Sequence, residues 1–107
     1  MASLNATFQA LSDPTRRQIL SRLSRRELSI AELAKPYKMS LPGVIKHLDV
    51  LARAGLVRRR RRGRIRVCSF VGAPLKRATD WLVEYRHFWD GQLDSLEKYF
   101  STAKGSD

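Results

Sequence analysis

The stretch that decides the fold runs from Ser29 to Gly55 and reads SIAELAKPYKMSLPGVIKHLDVLARAG. Its first residues match a capping box, in which Ser29 and Glu32 each satisfy a backbone N–H at the start of a helix. Pro36 does not continue a helix, because it lacks an N–H and its ring clashes with the preceding turn. The pattern therefore predicts a short helix between Ser29 and Pro36.

A longer helix is predicted directly after it. Ser40 is a favourable N-cap, Pro42 fits the first helical turn, and Gly55 is suited to the left-handed position that follows a helix. A turn at Tyr37–Met39 separates this helix from the shorter one. A short helix, a tight turn and a longer helix form the helix-turn-helix pattern.

Two further helices are predicted before this motif. Leu4, Phe8 and Leu11 recur at three- and four-residue spacing, which indicates a first short helix. Asp13 is a good N-cap and Pro14 fits the first helical position, so a second helix is expected to run to about Leu23.

A β-hairpin is predicted after the motif. Leu56–Arg62 and Arg64–Phe70 are two extended segments around Gly63, and apolar residues alternate with arginine in the second. The first strand is inferred from this glycine and this alternation, because the run Arg58–Arg62 taken alone is also compatible with a helix or with disorder.

The helical period returns from Pro74 and predicts one closing helix over about residues 75–100. Its apolar residues form a nearly heptad stripe that Gln92 interrupts: Leu75, Ala78, Leu82, Tyr85, Trp89, Leu96 and Tyr99. A chain of 107 residues offers too little surface to cover this helix, so we infer a homodimer built on it. The alternative is that the aromatic helix binds a different protein.

The positive charge of the chain is concentrated before residue 71. The formal net charge is +11; residues 1–70 hold 16 Lys plus Arg against 4 acids, so +12, and residues 71–107 hold 5 against 6, so −1. Arg53–Arg66 contains eight arginines and no acid. Because the arginine fork binds phosphate oxygens, this distribution predicts a polyanionic partner.

Several classes of protein are not expected. The single cysteine forms no intramolecular disulfide, the first ten residues lack the features of a signal peptide, and no apolar run approaches the roughly 18 residues of a membrane span. We therefore expect a cytoplasmic protein without a membrane partner. Ser40, His47 and Asp49 lie on one helix at spacings that do not form a catalytic triad, so no enzyme is predicted.

Taken together, these segments resemble the ArsR/SmtB family of bacterial transcriptional regulators over about residues 4–100. Asp13–Arg17 and Ser40–Leu48 carry the resemblance most strongly, and the second is similar to the family's recognition helix. Asp80–Trp89 resembles a metal-free subgroup of repressors. The resemblance implies a homodimer that binds a palindromic operator in double-stranded DNA and represses its own operon.

Periodicity leaves two buried faces open for the helix after Ser40. One contains Val44, Leu48 and Leu51; the other contains Leu41, Ile45, Leu48 and Ala52. The resemblance implies the first, which turns the other face toward the major groove. The residues then expected at DNA are Ser40, Leu41, Gly43, Ile45, Lys46 and His47.

Two of these positions depart from the family. Many relatives carry a small polar residue where Ile45 stands and a larger one where Gly43 stands. We therefore expect fewer direct hydrogen bonds to bases here than in those relatives. The alternative is that Leu41 and Ile45 flank the core.

The resemblance also makes the hairpin a wing and the aromatic surface a dimer interface. The wing residues expected at phosphates or in a minor groove are Arg60, Arg61, Arg62 and Arg64. The expected interface consists of Phe8, Trp81, Leu82, Tyr85, Phe88, Trp89, Leu93, Leu96 and Tyr99.

No metal or cofactor is expected. A metal site of the family lies in the third helix and needs cysteines where Ser29 and Ala31 stand, and His87 is the only histidine of the closing helix. Cys68 has many arginine neighbours in sequence, which could lower the pKa of its thiol, so a redox sensor is the alternative hypothesis for this residue.

The predicted fold class is mainly α with a small β-hairpin: one winged helix-turn-helix domain over 1–107 that dimerises through its terminal helices. The motif spans about 29–54, the wing about 56–70 and the dimerisation helix about 75–100. The predicted function is sequence-specific DNA binding by a dimeric repressor. The alternative is a nonspecific architectural nucleic-acid-binding protein that relies on arginine electrostatics.

Overall fold

A computed structural model describes residues 3–36 and 39–105, so Tyr37 and Lys38 of the predicted turn lie outside the described residues. Six helices and three strands lie within this part. The helices are α1 Leu4–Ala10, α2 Pro14–Leu23, α3 Ile30–Ala34, α4 Leu41–Arg53, α5 Ala73–Val83 and α6 Arg86–Gly105. The strands are β1 Leu28–Ser29, β2 Val57–Arg62 and β3 Ile65–Phe70.

Side-chain caps fix the starts of α2, α3 and α4 at the predicted residues. Asp13 Oδ2 accepts from the Arg16 N–H at 3.0 Å, and the Ser29 side chain and Glu32 form the reciprocal capping box. Ser40 Oγ accepts from the Gly43 N–H at 3.3 Å. These bonds satisfy N–H groups that a helix leaves without an internal partner, so they set where each helix begins.

The predicted hairpin is confirmed and forms part of a three-stranded antiparallel sheet in the order β1-β3-β2. Its register runs from Val57 opposite Phe70 to Arg62 opposite Ile65, which leaves a two-residue loop. The first loop residue, Gly63, has a φ of +65°, as a two-residue hairpin of the II′ kind requires. The third strand, β1, was not predicted, because a strand of two residues is too short to show an alternation of apolar and polar residues.

The core decides between the two possible faces of α4. Val44, Leu48 and Leu51 are fully buried, whereas Leu41 is half exposed. They pack with buried side chains from α2, α3, the sheet and the residue before β2: Ile19, Leu20, Leu23, Leu28, Ile30, Leu33, Leu56, Val57 and Cys68. The face implied by the family resemblance is therefore the buried one.

The prediction of one closing helix over 75–100 is wrong, because α5 ends at Val83 and α6 begins at Arg86. The Tyr85 N–H donates to the Leu82 carbonyl at 3.0 Å, and the Phe88 N–H donates to the Tyr85 carbonyl at 3.1 Å. Both bonds span three residues and tighten the helical turn, which separates the two helices. No proline or glycine marks this break in the sequence.

Much of the apolar surface of α5 and α6 is uncovered. Its large exposed side chains are Trp81, Leu82, Val83, Tyr85, Phe88, Leu93, Leu96, Tyr99 and Phe100. We call this set the apolar face. None of the helices in residues 3–36 and 39–105 has the length and apolar character needed to cross a membrane.

Candidate nucleic-acid interface

The residues predicted to contact DNA lie at the start of α4 and in its first turns, and they form two groups that differ in solvent exposure. Ser40, Leu41 and Lys46 are exposed. Gly43, Ile45 and His47 are partly buried. All six residues therefore reach solvent, the first three to a greater extent than the last three.

Ile45 and Gly43 face a crowded edge of this helix. Ile45 packs against the core cluster, so part of its side chain is not available to a ligand. A Cβ added at Gly43 would lie 3.4 Å from the Met39 Cε and 3.5 Å from the Ser40 Oγ, which is ordinary to tight contact. A larger residue at position 43 would thus contact the turn before α4.

His47 is tied to the start of α2. Its Nδ1 lies 3.4 Å from Arg16 Nη1 and 3.9 Å from Asp13 Oδ2. Arginine is only a donor, so Nδ1 accepts and neutral His47 carries its proton on Nε2. The imidazole therefore keeps an N–H donor on the ring edge away from Arg16.

Arg16 connects three helices through one guanidinium group. Its Nε donates to the Ala10 carbonyl at 2.7 Å and its Nη2 donates to the Gln9 carbonyl at 3.1 Å, at the end of α1. Its Nη1 meets His47 on α4. The Asp13–Arg17 segment singled out in the sequence thus fixes α1, α2 and α4 against one another.

The charge of Asp13 is stabilised at this junction. The backbone hydrogen bond from Arg16 is the main cause that lowers the pKa of Asp13 from its ordinary 3.8, and the positive charges of protonated His47 and of Arg16 lower it further. Asp13 therefore keeps its negative charge near the α2 N-terminus, where the helix dipole favours it.

The wing carries arginines on both sides of its sheet. Side chains alternate along a strand, so Arg59 and Arg61 face one side, and Arg60 and Arg62 face the other together with Arg58. Arg61 stands directly opposite Arg66 of β3. The wing is therefore a two-sided basic element.

Three wing arginines have acidic partners. Arg59 Nη1 lies 2.5 Å from Asp49 Oδ1, which joins β2 to α4. Arg60 Nη2 lies 2.6 Å from Glu27 Oε1, and Arg62 Nη2 lies 3.3 Å from Glu27 Oε2. Part of the wing's charge is thus neutralised within the chain.

Within residues 3–36 and 39–105, the other wing arginines have no acid within ion-pair distance. These arginines are Arg58, Arg61, Arg64 and Arg66. All four are exposed. Ile65, between two of them, is also 55% exposed, which puts an apolar side chain at the wing tip.

Cys68 lies inside the sheet. It is fully buried beside Leu28 of β1 and Arg59 of β2 in the strand register. Burial raises the pKa of its thiol, and Arg59 lowers the pKa only in part. A buried neutral thiol is a poor nucleophile, so the geometry does not favour a redox role.

No group of three or more His, Cys, Asp or Glu that could hold a metal is present in the described part of the chain. Ser29, the N-cap of α3, and Ala31 stand at the positions where the family resemblance implies metal ligands, and the Ser29 side chain is engaged in the capping box. His87 lies exposed on α6.

The predicted interface residues lie mainly on the apolar face. Phe8 of α1 is partly buried and its ring centroid lies 5.8 Å from that of Trp81, while Trp81 lies 5.2 Å from Tyr85. Trp89 is part of α6, but its side chain is outside the described part. Val83 and Phe100 join the exposed set, although sequence reasoning did not include them.

Sequence reasoning also missed Glu27, Asp49, Arg16 and Arg66 as parts of this surface. Glu27 and Asp49 are two of only four acids before residue 71, which was the available signal. Their partners lie 33 and 10 residues away, respectively, so only the folded chain identifies them.

Comparison with known proteins agrees with this architecture. A family model described as a helix-turn-helix domain matches residues 11–60. The regulator YuzN of Bacillus subtilis is 46% identical over 79 residues, which cover 67% of this chain and 86% of YuzN. The transcriptional repressor SdpR of the same organism is 29% identical over 90 residues, which cover 84% of this chain and all of SdpR.

A solved structure is similar over nearly its whole length. The crystal structure of the ArsR family transcriptional regulator RHA00566 is 44% identical and has a TM-score of 0.75, with 81% of this chain and 96% of that chain covered. The relatives are transcriptional regulators and not enzymes, and this chain is a DNA-binding regulator of transcription. It belongs to the ArsR family of winged-helix transcriptional regulators.

Proposed function

We propose that this chain acts in the cytoplasm as a homodimer that represses transcription, including that of its own operon, by occupying a palindromic operator. In this proposal α4 lies in the major groove, and the wing holds the phosphate backbone beside it. No metal or cofactor takes part.

The observation that carries the proposal is the ion pair between Asp49 of α4 and Arg59 of β2. It joins α4 to the wing at the edge of the core that α4 shares with the sheet, so we expect the exposed start of α4 and the neighbouring wing arginines to meet DNA together. A helix in the major groove with a basic hairpin beside it contacts bases and phosphates together.

Base reading rests on a small set of side chains. Lys46 is an exposed donor that suits guanine O6 or N7, and Leu41 is an exposed apolar group that suits a thymine methyl. The Nε2–H of His47 is a donor for a phosphate or a guanine acceptor. The wing supplies affinity and register, because phosphate contacts carry no sequence information directly.

The dimer rests on the apolar face. Phe8 packs on Trp81, so this face joins α1 to α5 and continues onto α6. A large set of exposed apolar side chains marks a protein interface, and a second copy of the chain supplies a matching surface through a two-fold axis. A two-fold dimer carries two copies of α4, which explains why a palindrome is the expected operator.

Repression is supported by SdpR, which is described as a transcriptional repressor and aligns with this chain over its whole length. A protein that occupies an operator blocks transcription without chemistry of its own. Autoregulation comes from the family resemblance.

The proposal is tested by sequencing genomic fragments that the purified protein retains, followed by competition binding. We expect a palindromic fragment that binds at least about 10³-fold more tightly than random duplex at physiological salt. Retention of fragments without a shared sequence would contradict sequence-specific recognition.

The partial burial of Ile45 favours a second candidate, a nonspecific architectural binder. With Ile45 packed on the core, fewer side chains reach the bases, and arginine–phosphate attraction supplies a larger share of the affinity. Equal affinity for the retained fragment and for random duplex would support this candidate.

A further inference from the structure

Arg60 and Arg62 of the wing share a single acidic partner, Glu27. It directly precedes β1, whose pairing with β3 places Leu28 opposite Cys68. Its two carboxylate oxygens face two different guanidinium groups, those of Arg60 at 2.6 Å and Arg62 at 3.3 Å. One carboxylate therefore neutralises half of the charge of this arginine pair.

This contact is accessible from solvent. The side chains of Arg60 and Arg62 are 51% and 67% exposed, and that of Glu27 is 39% exposed. Exposed ion pairs of this kind contribute little to folding, so the fold does not require Glu27. A DNA phosphate that reaches either arginine must displace or share the Glu27 carboxylate.

The opposite face of the wing is different. Arg61 and Arg66 face each other across the ladder and, among the described residues, have no acid within ion-pair distance. Arg59, on the same face but farther from the tip, pairs with Asp49. A phosphate that approaches Arg61 or Arg66 therefore meets no competing carboxylate on those two side chains, whereas one that approaches Arg60 or Arg62 meets Glu27.

We propose that Glu27 is an intramolecular counterion that competes with DNA phosphates for Arg60 and Arg62 and thereby limits how tightly the wing holds any duplex. The inference rests on the proposed contact between wing and phosphates. Because phosphate contacts are independent of sequence, the limit falls on operator and random DNA alike.

Glu27→Gln tests this in the full chain, with random-sequence duplex as the probe and fluorescence anisotropy over a KCl series as the measurement. Glutamine keeps the shape and one oxygen acceptor but removes the charge. We expect affinity for random duplex to rise about two- to fivefold at low salt. The slope of log affinity against log salt should steepen by about one to two, because two more cations release counterions from DNA.

Asp80→Asn is the matched control. It also raises the net charge by one, but Asp80 pairs with Lys76 on α5, outside the basic half. We expect the affinity and the salt slope of this variant to match those of the wild type. A Glu27→Gln variant that behaves like Asp80→Asn, or that binds more weakly than the wild type, overturns the inference.

Two further arms separate the causes. In a background with Arg60→Gln and Arg62→Gln, Glu27→Gln should no longer increase affinity; an undiminished increase would mean that Glu27 repels DNA in general and would overturn the inference. Arg61→Gln should weaken binding. If Arg61→Gln leaves the affinity for DNA unchanged, the proposed contact between the wing and phosphates is wrong. If Arg61→Gln lowers the affinity but Glu27→Gln leaves it unchanged, only the role of Glu27 is overturned.

Discussion

The described residues up to Phe70 bury nearly all of the large core side chains, whereas Pro74 and Ala78 are the only buried residues among the described side chains of α5 and α6. The first region completes its own core, and residues 1–70 carry a formal charge of +12. Among the described residues, several arginines of the wing have no acidic partner. Residues 71–107 carry a formal charge of −1, and α5 and α6 leave large apolar side chains exposed. Each region therefore lacks a different partner: the first an anion, and the second an apolar surface.

The largest effect on operator affinity is expected from a charged substitution within the apolar face. Leu96→Glu places a charge in the proposed dimer contact and should produce a monomer in size-exclusion chromatography with light scattering. Loss of bivalent binding should reduce operator affinity by about 100-fold or more. Ser101→Glu is the control, because the helical period turns Ser101 away from Leu96 on the same helix. A dimer that persists in Leu96→Glu would contradict the assignment of this face.

A substitution in α4 tests whether the basic region also reads sequence. Lys46→Ala should reduce the preference for operator over random duplex by roughly 1 to 3 kcal/mol, because it removes a donor to base acceptors. Lys76→Ala, on α5, removes the same charge outside the basic region and should leave the preference unchanged. An unchanged ratio of the two affinities in Lys46→Ala would place the readout elsewhere.

A substitution of Arg16 tests how α1, which carries the interface residue Phe8, is attached to the basic region. Arg16→Gln removes charged donors from the Ala10 and Gln9 carbonyls and should lower the free energy of unfolding by roughly 1 to 3 kcal/mol in urea titrations. Arg17→Gln loses one exposed bond to the Leu11 carbonyl and should cost less. Equal losses in the two variants would show that Arg16 has no special role.

Wing arginines should affect affinity without affecting sequence preference. Arg61→Ala should weaken operator and random duplex equally and reduce the salt slope by about one. Arg77→Ala on α5 is the charge-matched control. A change in the preferred base after Arg61→Ala would mean that the wing reads sequence.

The smallest effect concerns the acidic caps in the basic region. Backbone hydrogen bonds from Arg16 and Ser29 are the leading causes that lower the pKa values of Asp13 and Glu32 from their ordinary 3.8 and 4.5. The unfolded chain therefore takes up these protons first as the pH falls. The stabilisation is fully present above the ordinary pKa values and is lost as the pH falls through the folded ones.

Asp13→Asn with Glu32→Gln keeps the hydrogen-bonding shape of both caps but does not titrate. Its free energy of unfolding should depend less on pH between about 5 and 2 than that of the wild type. Parallel pH profiles for the two proteins would rule out these caps as the source of acid sensitivity.

Local signals in the sequence predicted most helix and hairpin boundaries. Asp13, Ser29 and Ser40 act as caps at the predicted starts, and Gly55 and Gly63 adopt the positive φ angles that their positions require. These features depend on interactions within a few residues, so the sequence alone identifies them. The burial of Val44 needed the family resemblance, because periodicity allowed two faces.

Long-range features could not be predicted in the same way. β1 exists only because Leu28 and Ser29 pair with β3, nearly 40 residues later. The break after Val83 has no proline or glycine to mark it. The contacts of Glu27 and the Arg16–His47 contact likewise depend on how separate elements pack, so the folded chain is needed to show that Arg60 and Arg62 have an acidic partner.

The most direct test of the division between a DNA-binding region and a pairing region is the mass of the complex on a retained palindromic duplex, measured by sedimentation velocity at physiological salt. Two chains of 12.3 kDa per duplex are expected, with no complex of that mass on random duplex at the same concentration. One chain per duplex, or a number of chains that grows with duplex length whatever the sequence, would contradict it.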